Sequence, residues 1–339
     1  MKVLINGKQR DYRTVWMRDS VVYMIDQLML PHKFLIYESK GYNETADAIR
    51  DMIVRGAPAI GATAAFGMAQ AALQFNGSDF TEFLKYMINA KKTLSTRPTA
   101  HDLFYAVDKM LDEIKKAASV KEAKERVVKA SQSYADESIE RCRLIGEVGE
   151  KLIKKNSRIL THCNAGALGC VDYGTALAPM RLAHYNKKNI HVFVDETRPR
   201  CQGSRLTAWE LLQEEIPHSI IVDNAAGFFM QRGEIDIVIV GADRITRNKD
   251  VINKIGTYEK AVIARENKIP FYVAAPESTF DSGIKDGGEV EIEERAHDEV
   301  LYINGVRIAP KNSCARNPAF DITPKRYVTG FITEKGILK

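Results

Sequence analysis

The sequence predicts an α/β protein in which a small antiparallel sheet and a helical bundle precede a Rossmann-like, doubly wound parallel sheet. Short apolar runs separated by polar turn residues fill the first 40 positions, and apolar residues at helical spacing follow up to position 154. After position 157, continuous apolar runs alternate with helical segments, which is typical of a parallel sheet covered on both faces. A chain of 339 residues is expected to form two domains, which we place at residues 1–150 and 151–339.

The amino-terminal half combines predicted strands with longer predicted helices. The strands are placed at residues 3–5, 21–25 and 33–37, and the helices at residues 45–54, 59–75, 81–94, 100–117 and 120–154. Pro58 follows Arg55-Gly56-Ala57 at a helix start, where its missing N–H costs nothing. The free N–H groups and dipole of that helix end are suited to an anion beside Arg55. A close-packed core helix with a structural arginine is an equally open interpretation. Arg97 also precedes a predicted helix.

The carboxyl-terminal half alternates predicted strands with predicted helices. The strands are placed at residues 158–162, 190–194, 219–222, 235–240 and 270–274, and the helices at residues 174–184, 203–214, 225–232 and 256–267. The polar motifs that follow strands are His162-Cys163-Asn164, residues 195–200 with Gln202-Gly203, Asp223-Asn224, residues 241–244 and residues 253–257. In a doubly wound sheet the carboxyl ends of the strands share one edge, so these motifs are predicted to meet in one pocket.

A thiol, carboxylates, arginines and a lysine in one crevice indicate acid–base chemistry on an anionic small molecule. Asp243 follows the apolar run 237–241, where partial desolvation raises the pKa of a carboxyl and lets it hold a proton near neutral pH. Structural interpretations stay open for Cys163 as a buried packing thiol, for Asp195, Glu196 and Arg198 as an ion-pair network, and for Asp223 and Asn224 as a helix cap.

Composition excludes several classes of function. The net charge of +5, from 49 basic and 44 acidic residues, is small and scattered, so a nucleic-acid partner is not expected. Five cysteines without a C-x-x-C pair argue against a disulfide scaffold and a structural zinc site, and suit a reducing cytoplasm. No run approaches the ~18 apolar residues of a membrane span, and the first apolar run is too short for a signal peptide. Nucleotide-binding fingerprints are absent. We expect a soluble cytoplasmic protein with neither metal nor cofactor.

Eight motifs, spread in order along nearly the whole chain, carry a resemblance to a known family. They are residues 55–61 (RGAPAIG), 97–99 (RPT), 161–166 (THCNAG), 196–200 (ETRPR), 202–203 (QG), 241–244 (GADR), 253–257 (NKIGT) and 317–321 (NPAFD). The chain resembles the 5-methylthioribose-1-phosphate isomerases of methionine salvage, which share a fold with regulatory subunits of a eukaryotic translation initiation exchange factor. The resemblance implies a sugar-phosphate substrate, no metal and a homodimer. It makes Cys163 and Asp243 the catalytic pair. The substrate ligands it implies are Arg55, Gly56, Ala57, Arg97, Gln202, Asn253 and Lys254.

The reaction of that family explains why these residue types are needed. A sugar with phosphate on its anomeric oxygen cannot open its ring by the usual hemiacetal route, so an acid must protonate the ring oxygen, which suits a neutral Asp243. Hydrogen must then move from C2 to C1. Cys163 either shuttles a proton through an enol-type intermediate or stabilises charge while hydride moves, and both routes stay open. Arg55, Arg97 and Lys254 are expected to hold the phosphate.

The chain departs from the family pattern at two places. His101-Asp102 stands where relatives usually carry an apolar residue and Asn, and residues 170–172 (Cys-Val-Asp) replace smaller or more neutral residues. A carboxylate at Asp102 or Asp172 can reshape one end of the pocket, so 5-deoxyribose 1-phosphate and ribose 1,5-bisphosphate stay open as substrates. A non-catalytic regulatory subunit is the alternative from another class, but such relatives typically lose the Cys/Asp pair that this chain retains.

Overall fold

Two small antiparallel sheets form the amino-terminal part of the chain, in a computed structural model that describes residues 1–5, 7–97 and 101–339. β1 (Lys2–Ile5) and β2 (Lys8–Asp11) make a hairpin, and β3 (Val15–Arg18), β4 (Val21–Ile25) and β5 (Ile36–Ser39) make a three-stranded sheet. The sequence predicts β1 and β4 and places β5 slightly early. It misses β2 because that strand is exposed along its whole length and lacks the alternation that marks a half-buried strand.

A core helix surrounded by other helices completes the amino-terminal half. The helices are α1 (Tyr42–Arg50), α2 (Ala57–Gln74), α3 (Phe80–Leu94), α4 (His101–Lys115) and α5 (Val120–Glu150). α2 is buried along almost its whole length, as expected for a helix that is apolar on every face. The side chains of Asp79 and Ser119 cap α3 and α5 by accepting hydrogen bonds from backbone N–H groups. All five helices lie within four residues of their predicted bounds.

The carboxyl-terminal half is built on a seven-stranded, mostly parallel sheet. The strands after α5 are β6 (Arg158–Thr161), β7 (His191–Asp195), β8 (His218–Ile221), β9 (Ile237–Val240), β10 (Arg244–Thr246), β11 (Val251–Lys254), β12 (Phe271–Ala274), β13 (Phe280–Asp281), β14 (Tyr302–Ile303), β15 (Val306–Arg307), β16 (Phe320–Thr323), β17 (Gly330–Thr333) and β18 (Gly336–Leu338). The helices are α6 (Leu177–Tyr185), α7 (Ala208–Gln213), α8 (Ala226–Gln231), α9 (Thr257–Glu266) and α10 (Asp298–Leu301). The sheet order is β18-β17-β12-β9-β6-β7-β8, with β18 antiparallel to β17.

The order of the strands places a topological switch point between β6 and β9. From β6 the chain winds outwards through β7 and β8, and from β9 it winds outwards in the opposite direction through β12 and β17. Open α/β sheets bind their ligands outside the carboxyl ends of the strands at such a point. Cys163 follows β6 and Asp243 follows β9, so both stand where a site is expected.

A second sheet of four strands, in the order β13-β10-β11-β16, is absent from the sequence prediction. β10 and β11 form a hairpin after β9, and β16 pairs with β11 from much later in the chain. The predicted loop at residues 253–257 is therefore partly wrong, because Asn253 and Lys254 lie on β11 opposite Asp321 and Phe320. β10 and β11 contain polar residues and lack the continuous apolar run that marks β9, which is also only four residues long.

The α/β class, the small antiparallel amino-terminal sheet and the mostly parallel carboxyl-terminal sheet are confirmed. The domain boundary after residue 150 stays a prediction and coincides with the end of α5. The helix predicted at residues 174–184 begins later, at Leu177, because the preceding residues form a loop closed by a bridge between Gly166 and Gly174. Within the described ranges, no helix is long and apolar enough to cross a lipid bilayer.

Candidate active site

Cys163 adopts a left-handed backbone conformation, with a φ of +64°, directly beyond β6. Two hydroxyl groups hold it there. The Cys163 N–H donates to Thr197 Oγ1 at 2.9 Å, and Thr207 Oγ1 donates to the Cys163 carbonyl at 2.6 Å. Positive φ costs free energy in a residue other than glycine and persists where the surroundings enforce it. Cys163 is half-buried and borders a cavity.

The loop after Cys163 is organised by the buried carboxylate of Glu210, on α7. This carboxylate accepts hydrogen bonds from Asn164 Nδ2 at 2.8 Å and from the N–H groups of Ala167 at 2.7 Å and Leu168 at 3.2 Å. Arg181 Nη2, from α6, lies 2.5 Å from Glu210 Oε2, and neither side chain is more than 3% exposed. A buried carboxylate requires such partners, since charge taken out of water costs several kcal/mol. Glu210 thus ties the Cys163 loop to two helices.

Arg55 connects the same loop to the helical half of the protein. Its Nη2 donates to the carbonyl oxygen of Asn164 at 3.0 Å and also to the side-chain oxygen of that residue. Its Nε donates to Gln27 Oε1 at 3.2 Å, and its Nη1 lies 3.9 Å from the sulfur of Cys163. A guanidinium at that distance stabilises negative charge on sulfur by Coulombic attraction.

Gly56 brings the start of α2 against the Cys163 loop. It has a φ of +95°, and a side chain there would place its Cβ 2.3 Å from the carbonyl oxygen of Gly169. Only glycine permits this conformation and this approach. Pro58 occupies the first turn of α2, as predicted, and the helix begins at Ala57. The N–H groups at the beginning of α2 therefore stand beside the loop that carries Cys163.

Asp243 and Lys254 are the acid and the amine of the site, and burial shifts the pKa of each. Burial raises the pKa of Asp243 above its ordinary value, although the charges of Lys254 and Arg55 act in the opposite direction. Burial, together with repulsion from Arg295, lowers the pKa of Lys254 to about 8. Lys254 Nζ donates to the carbonyl of Ala319 at 2.8 Å. Burial therefore disfavours the charged form of both groups.

Three other predicted residues, Arg97, Gln202 and Asn253, border the cavity. Arg97 Nη1 lies 3.6 Å from Glu293 Oε1. Gln202 is 6% exposed, and its Oε1 has no hydrogen-bond partner among the described residues, which leaves an acceptor for a ligand hydroxyl. Asn253 Nδ2 donates to Thr257 Oγ1 at 3.0 Å.

One cavity brings the predicted site residues together. They are Arg55, Gly56, Ala57, Arg97, Cys163, Gln202, Asp243, Asn253 and Lys254. Pro98 and Thr99, from the motif of Arg97, lie outside the described residues. The sequence prediction missed Glu293 and Arg295, which border the cavity from the segment between β13 and α10. Their charged run, residues 289–295, has the composition of a solvated surface and offered no signal.

Asp195 and Asp223 support the site without bordering the cavity. Asp195 Oδ2 lies 2.8 Å from Nδ1 of His162, which is a cavity residue. Asp223 accepts hydrogen bonds from the N–H groups of Thr197 and Arg198, each at 2.7 Å. It therefore holds the loop after β7 in place, whereas the structural interpretation of the sequence had made it a helix cap. Metal-ligand atoms of His162, Asp195 and Asp223 lie within 4.8 Å of one another, but each of these side chains already has a hydrogen-bond partner.

The residues that depart from the family pattern mostly lie outside the cavity. Cys170 borders it, whereas Val171 packs in the core of the helical half. Asp172 pairs with the amino-terminal ammonium of Met1 at 2.5 Å and does not reshape the pocket, contrary to expectation. Asp102 is buried on α4 and does not border the cavity either, and burial raises its pKa.

Comparison with known proteins places this site in a family. A profile of the initiation factor 2 subunit family matches residues 53–339. The chain belongs to this family. Its relatives include the methylthioribose-1-phosphate isomerase of Acetivibrio thermocellus, 52% identical over 323 residues with 94% of each chain covered. That of Caldanaerobacter subterraneus subsp. tengcongensis is 48% identical over 333 residues, covering 97% of this chain and 96% of its own. The resemblance to these isomerases is thereby confirmed.

Solved structures of the initiation factor 2 subunit family share the fold. The 5-methylthioribose 1-phosphate isomerase of Pyrococcus horikoshii OT3 superposes with a TM-score of 0.90 at 43% identity, covering 97% of this chain and 92% of its own. The A. fulgidus protein described as translation initiation factor eIF-2B, subunit delta, superposes with a TM-score of 0.85 at 44% identity, covering 96% of each chain. Proteins named as isomerases and proteins named as translation initiation factors share this fold. The function must therefore be argued from the site and not from the fold alone.

Replacing Glu210 by Gln is expected to lower the free energy of unfolding by about 3 kcal/mol, because buried Arg181 loses one of its two carboxylate partners. Glu147→Gln is the matched control, since Glu147 pairs with Arg143 on the exposed surface of α5, and it is expected to cost at most about 0.5 kcal/mol. Equilibrium unfolding in urea measures both. Equal losses for the two variants would show that Glu210 is not a buried anchor.

Asp243→Asn is expected to make the free protein more stable than wild type at pH 8, with a difference that shrinks towards about pH 4. A raised pKa means that the folded state binds the carboxyl proton more tightly than the unfolded chain does. The corresponding stability is present at low pH and is lost as the pH rises through the folded-state pKa. Asparagine cannot ionise and avoids that loss. Thermal unfolding at several pH values tests this, and a less stable variant at pH 8 would contradict it.

Proposed function

We propose that the chain is an aldose–ketose isomerase that converts 5-methylthioribose 1-phosphate into 5-methylthioribulose 1-phosphate. The observation that carries the proposal is one cavity bordered by the thiol of Cys163, the carboxyl of Asp243 and several cations. Relatives of nearly full length that bear this activity in their names support the choice of substrate. A non-catalytic regulatory subunit would have no use for a thiol and an acid on the same cavity.

Cations from both halves of the chain hold the phosphate in this proposal. Arg55 and Arg97 offer planar guanidinium groups that can bind two phosphate oxygens at once, whereas Lys254 offers a point charge. The N–H groups of Gly56 and Ala57 stand at the start of α2, where the positive end of the helix dipole adds to the attraction.

The sugar is held by polar groups and its C5 substituent by apolar ones. Gln202, with its unpartnered side-chain oxygen, and Asn253 are suited to the ribose hydroxyls. The apolar side chains of Met52 and Ile60 also border the cavity and suit a methylthio group. A second phosphate, as in ribose 1,5-bisphosphate, would gain nothing from such apolar contacts.

Asp243 acts first, as the acid that opens the ring. Its carboxyl protonates the ring oxygen, the bond between that oxygen and C1 breaks, and the positive charge at C1 is shared with the oxygen that carries the phosphate. Burial raises the pKa of Asp243, which favours the protonated form that this step requires. Lys254 and Arg55 stabilise the carboxylate that remains, since their charges lower the same pKa.

Hydrogen then moves from C2 to C1 under the influence of Cys163. In one route the thiolate takes the C2 proton, an enol forms, and the thiol returns the proton to C1. In the other route hydride moves directly, and the sulfur stabilises the positive charge on the carbon chain. Arg55 Nη1 lies 3.9 Å from the sulfur, close enough to attract negative charge on it. Finally the C2 hydroxyl gives its proton to the Asp243 carboxylate, which forms the ketone and restores the acid.

Residues 1–150 and 151–339 act as two domains that close on the substrate, because each contributes cations to the cavity.

A homodimer is supported by exposed apolar side chains at and after β8, the last strand of the seven-stranded sheet. They include Ile220, Val222 and Phe228. A cytoplasmic location rests on the unpaired cysteines.

Cys163→Ser and Asp243→Asn are each expected to lower kcat by about 10²–10⁴-fold, because each removes a group that acts on the reacting atoms. KM is expected to change far less. Conversion of 5-methylthioribose 1-phosphate by the purified protein is the measurement, with 5-deoxyribose 1-phosphate and ribose 1,5-bisphosphate as competing substrates. Cys314→Ser, at an exposed cysteine, is the control and is expected to retain full activity. Near-wild-type turnover by either site variant would overturn the assigned roles.

Lys254 is expected to make kcat/KM fall as the pH rises through about 8, the pKa of its buried amine. A neutral amine does not attract phosphate, and kcat/KM reports the ionisation of the free enzyme. Because arginine stays charged, Lys254→Arg is expected to move the alkaline decline to higher pH. Initial rates from pH 6.5 to 9.5, at substrate concentrations below KM, test this. An unchanged alkaline decline in the variant would assign that decline to another group.

A further inference from the structure

The segment that carries Glu293 and Arg295 reaches the cavity although the proposed mechanism does not use it. Backbone pairing holds it in place: the Arg295 N–H donates to the carbonyl of Asn317 at 2.9 Å, and the Ala319 N–H donates to the carbonyl of Glu293 at 2.8 Å. Alternate residues of an extended segment share one face. Residues 293 and 295 accordingly border the cavity, while Glu294 between them is exposed.

Three cations, Arg97, Lys254 and Arg295, which we call the cation cluster, surround Glu293 on this side of the cavity. Glu293 Oε1 lies 3.0 Å from Arg295 Nε and 3.6 Å from Arg97 Nη1. Lys254 Nζ and the Arg295 guanidinium carbon lie 4.1 Å and 5.6 Å from the centroid of the Phe320 ring. Phe320 and Glu293 therefore each contact two of the three cations.

The cation cluster is held largely out of water. The side chains of Arg295 and Arg97 are only 13% and 16% exposed. Burial and repulsion from Arg295 lower the pKa of both Arg97 and Lys254, which is the mark of like charges held together out of water. An anionic ligand such as phosphate would relieve this repulsion.

We propose that Arg295 binds the phosphate of the substrate together with Arg97 and Lys254, and that Glu293 is a counter-ion that holds the two arginines until phosphate enters. The inference rests on the proposed function for the identity of the ligand. The carboxylate of Glu293 then competes with phosphate for the same guanidinium groups. Entry of phosphate exchanges one set of charge-assisted hydrogen bonds for another and relieves the repulsion within the cation cluster.

This role predicts opposite effects for two residues in direct contact. Loss of Arg295 removes a ligand of the phosphate and weakens its binding. Loss of the Glu293 charge removes a competitor that also repels the dianion, and strengthens phosphate binding. If the pair served only to fix the segment, both substitutions would break the same ion pair and act in the same direction.

Isothermal titration of the full-length chain with inorganic phosphate tests the inference. Arg295→Met is expected to weaken phosphate binding by about tenfold, and Glu293→Gln to tighten it by about threefold. Arg316→Met is the control, because Arg316 pairs with Glu294 at 86% exposure, and its affinity is expected to match wild type. Equal weakening by both cavity variants, or no change in either, would overturn the proposal. Arg295→Gln replaces Arg295→Met if the latter does not fold.

Turnover separates this inference from the proposed function. If the chain does not isomerise 5-methylthioribose 1-phosphate, the proposed function fails, but opposite shifts in phosphate affinity still support an anion site at Arg295. If it does isomerise that sugar, KM is expected to rise about tenfold in Arg295→Met with a smaller change in kcat. If the enzyme is active but Arg295→Met changes neither KM nor the affinity for phosphate, the proposed function is retained and only this inference is wrong.

Discussion

The buried carboxylate of Glu210 is the contact on which the geometry of the cavity depends. Its charge is balanced in the interior by Arg181 and by the N–H groups of the Cys163 loop, and these contacts fix the arrangement of that loop. Asn164, held by Glu210, accepts hydrogen bonds from Arg55 and so passes this order to the helical half. Glu210, which does not border the cavity, thus helps to fix the position of Arg55 relative to the sulfur of Cys163.

Sheet topology brings the thiol and the acid together. Cys163 and Asp243 are 80 residues apart in the sequence, yet they follow neighbouring parallel strands, β6 and β9, at the switch point. The short second sheet then folds back and adds Lys254, and the beginning of α2 adds Gly56 by close approach to Gly169. The acid, the thiol and the cations therefore come from separate elements of the fold, which meet at this edge of the sheet.

The cavity gathers charge at a cost to stability. Burial disfavours the ionised form of Asp243 and the charged form of Lys254, and Arg97 and Arg295 repel each other across Glu293. Such strain is typical of sites prepared for a charged ligand, because binding supplies the missing partner. The cations that border the cavity are suited to a sugar phosphate.

The fold class, the long helices and the residues at the strand ends, including Cys163 and Asp243, could be predicted from the amino-acid sequence alone. Helices of 15 residues or more repeat their apolar period several times, and a polar motif after an apolar strand marks the carboxyl edge of a sheet. The second sheet, the place of Lys254 on a strand, and the presence of Glu293 and Arg295 at the cavity become apparent only in the folded chain. The strands of that sheet lack a continuous apolar run, and the charged residues 289–295 look the same in the sequence whether they face water or a cavity. The difference arises when a distant segment pairs with residues 317–319, and no local pattern encodes that pairing.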